Sequence, residues 1–134
     1  AVAAIGAGPI APGASASVEV MVDDRYRRAS LAAMLVCTND GFGGVDSLRL
    51  PRWVGDAVSL HGYAYDAGTE VNTEAYIDLV PPCDGAGGSG VSNPALAENG
   101  VVHRHAGIVG GADLEPAVHG WDGAVLELTI ERTS

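Results

Sequence analysis

Ala124-Val125-Leu126-Glu127-Leu128-Thr129-Ile130-Glu131 is the stretch whose reading decides the fold. Ala124, Leu126, Leu128 and Ile130 fall on one side of a two-residue period, with Glu127, Thr129 and Glu131 on the other. That is the pattern of a strand with one face buried and the other in water. Upstream, Val18, Val20 and Val22 alternate in the same way with Ser17 and Glu19. Residues 58–65 and 101–108 also read as strands, and residues 73–80 carry Tyr76, Ile77 and Val80, which suit a pleated surface. Asp40-Gly41, Asp84-Gly85, Asn99-Gly100 and Asp122-Gly123 punctuate these runs as turns. Residues 29–38 hold Ala, Leu and Met that suit a helix, but their length, the Val36-Cys37-Thr38 end and the Asn39-Asp40-Gly41 stop favour a buried strand. The expected fold class is all-β, an antiparallel β-sandwich.

The chain has 134 residues, the size of one domain with a core of its own. Residues 1–13, with Pro9, Pro12 and three glycines, read as an N-terminal arm able to donate a strand, and residues 14–134 as the sandwich domain. Residues 81–94 hold Pro, Gly, Ser and Asp with little to bury and read as a surface loop. No internal repeat is present.

The net charge of −10, from 17 acidic residues against 7 arginines, removes the attraction to phosphate on which nucleic-acid binding rests. The longest uninterrupted apolar run, residues 31–37, is far too short to span a bilayer, so no membrane span is expected. A start at Ala1 without Met, in an Ala-rich stretch, is of the sort left by signal cleavage, and a secreted, extracellular or cell-surface location is expected. In that setting Cys37 and Cys83 form either one disulfide, worth roughly 3 to 4 kcal/mol through the long loop it closes, or two buried thiols.

The first candidate site is Asp66-Ala67-Gly68-Thr69-Glu70, where two carboxylates flank a glycine after a predicted strand. Calcium takes several oxygen ligands from flexible turns, and Asp40, at the end of another predicted strand, reaches the same point if the two strand ends meet at one edge. Read from spacing alone, the same residues serve equally as turn formers whose side chains bond their own backbone. A second candidate is His103-x-His105, with His61 or His119 as a third nitrogen ligand for zinc or copper, against a reading as hydrogen-bonded surface histidines. Catalysis is the third, either with Asp66 and Glu70 as an acid–base pair or with Ser59 and His61 in a triad, but no catalytic signature accompanies them and no enzyme is expected. Trp53, Trp121, Tyr63, Tyr65 and Tyr76 would form a sugar-stacking platform if exposed together, and core volume if not.

The run from Ser30 to Phe42, including Thr38-Asn39-Asp40-Gly41-Phe42, then Asp46-Ser47-Leu48 and Tyr65-Asp66-Ala67-Gly68-Thr69-Glu70, resembles the spondin N-terminal domain, above all its compact bacterial versions. The later Val101-Val102-His103-Arg104-His105-Ala106-Gly107-Ile108 and the closing strand are also similar, so the resemblance covers most of residues 14–132. It implies an extracellular sandwich related in shape to C2 domains, with calcium held at one edge by Asp40, Asp66 and Glu70. Glu70 stands where animal members often have Asp, which keeps the charge and lengthens the reach. The expected role is structural or adhesive, towards extracellular-matrix, cell-surface or self partners, including assembly of a filament through the N-terminal arm. The alternative is calcium-dependent glycan binding.

Overall fold

The computed structural model describes residues 2–83 and 93–134. Five strands, β1 (Arg28–Met34), β2 (Gly41–Arg49), β3 (Ala57–Asp66), β4 (His103–Arg104) and β5 (Ala124–Glu131), are joined by short 3-10 turns at Tyr76–Asp78 and Pro94–Leu96 and a single helical turn, α1 (Pro116–His119). Every pairing is antiparallel, and the strands form one connected sheet in the order β1-β2-β3-β4, with β5 also on β3. The all-β class read from alternation is therefore the class the chain adopts.

The long strand β3 organises the rest. Its first half pairs with β5, from Ala57 opposite Glu131 to Gly62 opposite Leu126, as the alternation of residues 124–131 requires. Its second half pairs with β2, from Tyr63 opposite Gly44 to Asp66 opposite Gly41, and its last two residues also hold β4. β5 approaches this junction closely because glycines lie beneath it: a Cβ on Gly62 would stand 2.6 Å from Leu126 Cδ1, and one on Gly43 would stand 2.9 Å from Leu126 Cδ2.

The most deeply buried apolar cluster lies in the connections. Leu79, Ile108 and Leu114 are buried together, with Tyr76, Cys83 and Trp121 against them. Cys37 and Cys83 are disulfide-bonded with Cα atoms 5.1 Å apart, which ties the β1–β2 connection to this cluster.

Four local expectations differ from the structure. Residues 73–80 form a turn, because Glu74 takes a left-handed backbone (φ 56°) and breaks the strand. The predicted strand over 101–108 shrinks to His103–Arg104, since the chain beyond it is captured by Glu74. Of the run 29–38, residues 29–34 form a strand, but as a sheet edge with Ala32, Ala33 and Met34 exposed, not as a buried strand, and residues 36–38 turn away towards β2. Residues 17–22 alternate as expected yet join no strand, and they are exposed throughout. Of the predicted 81–94 loop, residues 84–92 lie outside the described residues.

Candidate functional site

The β2–β3 register brings the two acidic motifs together. Gly41 pairs with Asp66, so Asp40 sits beside the turn that follows β3. Thr38 shapes the preceding loop: its hydroxyl donates to the Leu35 carbonyl at 2.6 Å and accepts from the Gly41 amide at 2.9 Å. Asp40 then reaches across. Its Oδ2 accepts from the Thr69 amide (2.6 Å), the Thr69 hydroxyl (2.7 Å) and the Glu70 amide (2.9 Å).

Asp66 is 2% exposed, and each of its carboxylate oxygens accepts a hydrogen bond. Its Oδ1 accepts from the Gly68 amide at 2.7 Å, its Oδ2 from Asn72 Nδ2 at 2.5 Å, and His103 Nε2 stands 3.9 Å from the same oxygen. Gly68 is required here: it has φ +70°, and a Cβ would lie 2.7 Å from the Val101 nitrogen. Glu70 enters the site through its amide to Asp40 and a bridge to Ala97.

Three atoms in this region are buried without a hydrogen-bond partner among the described residues: Asp40 Oδ1, Asn39 Nδ2 and His105 Nε2. Burial resists ionisation of Asp40, but donation from the Thr69 hydroxyl and the Glu70 and Thr69 amides, helped by His105, holds its carboxyl below the usual value. Burial also pushes the His105 imidazole down, against the pull of Asp66 and Asp40. His105 Nδ1 accepts from the Gly107 amide at 2.9 Å, so the neutral ring carries its proton on the buried Nε2. An anionic oxygen facing no donor inside protein is costly unless something cationic or hydrogen-bonding meets it.

Among the described residues, no group of three or more His, Cys, Asp and Glu side chains is arranged as a ready metal cluster. Oxygen donors other than carboxylates would therefore have to complete any calcium shell at Asp40 and Asp66. The histidines are dispersed. His119 Nδ1 accepts from the Glu115 amide at 3.0 Å, and His61 is exposed on β3. Ser59 pairs its hydroxyl with Thr129 at 2.7 Å across β3 and β5.

The aromatics divide between surface and core. Trp53 is 64% exposed with Arg52 over its ring, Tyr63 is 41% exposed, and the Arg104 guanidinium lies 4.3 Å from the Tyr63 centroid and 5.4 Å from that of Tyr65. Tyr76 and Trp121 instead pack on the buried cluster, with His105 edge-on to Trp121 at 5.1 Å.

Glu74 escaped the sequence reading. It is 6% exposed, and its carboxylate accepts from the amides of Val109 (2.6 Å), Gly110 (2.7 Å) and Gly111 (2.6 Å). Its carbonyl accepts from Asp113 and Leu114 at 3.0 and 3.1 Å. The one linear signal was the Gly110-Gly111 pair, which lets consecutive amides turn toward one anion. No protein-family model, no curated protein and no solved structure matches this chain.

Proposed function

We propose that the chain is a secreted, calcium-binding β-sandwich module with a structural or adhesive role. The observation that carries this reading is the buried Asp40 Oδ1, which has no hydrogen-bond partner among the described residues, at the meeting point of the two acidic turns. Asp40 is ionised at neutral pH, and Asp66 together with nearby carbonyl and hydroxyl oxygens would supply the remaining donors. Calcium would lock the turns after β1 and β3 against each other and supply stability, with no chemistry asked of it. The similarity of these turns to those of spondin domains and the Cys37–Cys83 bridge, which suits an oxidising compartment, support the same assignment.

Thermal unfolding with calcium and with chelator tests it. A site half-saturated at one hundredth of the added calcium adds about 2.7 kcal/mol, or roughly 10 °C for a domain of this size. Asp40→Asn removes that increment. Equal melting temperatures in calcium and chelator would reduce Asp40 to a turn cap.

A second reading, calcium-dependent glycan binding, is favoured by the exposed Tyr63 and the adjoining open cleft of about 190 Å³ lined by Tyr63, Arg104, His105 and Trp121. Chelator-sensitive saccharide binding lost in Tyr63→Ala would establish it, and no binding at millimolar sugar would remove it.

A further inference from the structure

The chain exposes far more surface than a folded monomer of its mass should. Its accessible area is 9140 Å² at 13.6 kDa. Monomers of that mass expose roughly 6,600 Å², so this chain's excess is about 2,500 Å². A chain that both donates to one neighbour and accepts from another loses the whole area of one interface, and obligate interfaces bury about 2,000 to 5,000 Å².

Part of the excess has an identifiable source among the described residues. Residues 17–22 carry the strand alternation but pair with nothing among the described residues, and Val18, Val20 and Val22 are 52%, 40% and 44% exposed. Six extended residues reach about 20 Å, close to the span of the seven-residue β1. Glu19 is the one charge in residues 1–22, so docking this segment is barely opposed by the net charge of −10.

An acceptor with matching properties lies in the same molecule. β1 ends the sheet order, and its outer edge has no partner strand among the described residues. Sheet edges are ordinarily guarded by charge or proline. β5 carries Glu127 and Glu131, whereas Ala29–Met34 carries no charge and no proline. The Leu35 amide donates inward to the Gly41 carbonyl, so strand alternation turns the Ala32 and Met34 amides outward. Beside this edge lies a mainly apolar cleft of about 200 Å³ lined by Leu31, Phe42, Val45, Tyr65 and Val102, of a size for valine side chains, with Asp46, whose carboxylate accepts from the Ser30 hydroxyl, as its one charged residue. The chain's own segment does not occupy the edge, although the turn joining them is formed, with the Tyr26 amide donating to the Asp23 carbonyl at 3.0 Å.

We propose that residues 17–22 of one copy add as a strand to the free β1 edge of a second copy, with Val18, Val20 and Val22 over the apolar cleft. Donor and acceptor are different surfaces, so the contact is head-to-tail and propagates unless it closes into a ring. The inference deepens the structural role proposed above by naming the partner as a second copy of this chain. It requires no calcium, so running the test in calcium and in chelator separates its failure from that of the metal site.

Sedimentation velocity of the full chain is the experiment. Wild type sediments above the 13.6 kDa monomer and grows with concentration. A donor variant, Val18→Asp/Val20→Asp/Val22→Asp, and an acceptor variant, Ala32→Pro, are each monomeric. Mixed, they retain one working donor and one working edge, and they form a species of twice the monomer mass and nothing larger. Met34→Lys replaces Ala32→Pro if circular dichroism finds the proline variant misfolded. A wild-type chain that stays monomeric, a donor variant that still assembles, or a mixture that stays at the monomer mass, as when the segment folds onto its own β1, overturns the proposal.

Discussion

Glu74→Gln is expected to destabilise the fold by about 2 to 3 kcal/mol at neutral pH. The wild-type carboxylate takes two amides on Oε2, from Gly110 and Gly111, and one on Oε1, from Val109. Glutamine keeps one oxygen, so at best two neutral bonds survive while its amino group faces the third amide. Losing one charge-assisted bond and weakening two others corresponds to about 2 to 3 kcal/mol, because each such bond is worth roughly 1.5 to 3 and the exposed loop amides regain some water. Burial opposes ionisation of Glu74, but the three amides outweigh it and hold its carboxyl below the ordinary 4.5. A lowered carboxylate gives stability that is full above its unfolded value and is lost as pH falls through the folded one. Urea unfolding of both proteins from pH 7 down to pH 3 should find the gap wide at pH 7 and narrowing once pH drops below about 4.5. A gap under about 0.5 kcal/mol at pH 7, or one that stays constant with pH, would refute the claim that the anion holds this loop.

Other outcomes follow from the same geometry. Cys37→Ser/Cys83→Ser should lose about 4 kcal/mol, the entropy of a loop with 46-residue separation, read as a lower urea midpoint. Gly68→Ala should cost about 2 to 4 kcal/mol in urea unfolding, because the new Cβ meets the Val101 and Gly100 backbone at a left-handed position. In calcium titrations by calorimetry, Asp40→Asn should abolish heat of binding, while His61→Ala, on exposed β3, should leave it unchanged.

Much of the sheet was legible because its strands are one-sided. The alternation in residues 124–131 and 58–65 survives as β5 and β3, since a period of two commits each side chain to a face before any partner is known. The candidate site was legible in part for the same reason: Asp40 immediately precedes β2, Asp66 closes β3, and these ends of neighbouring strands meet. Residues 73–80 misled because Tyr76, Ile77 and Val80 suit a strand, while the feature that prevents one is the distant Val109-Gly110-Gly111 loop. Residues 17–22 carry as good a pattern as β5 and form no strand, because a strand needs an edge to bond to and pattern supplies only half of the pair.

By itself, then, the sequence determined the all-β class and the acidic motifs, both of which depend on neighbours in the chain. Only the tertiary structure decided that Asp40 caps the turn at Thr69 and Glu70 with one oxygen unmet among the described residues, that Glu74 is buried as an anchor, and that the outer edge of β1 has no partner strand among those residues. Each of these depends on which segments distant along the chain come within hydrogen-bonding distance, and local alternation carries no record of that.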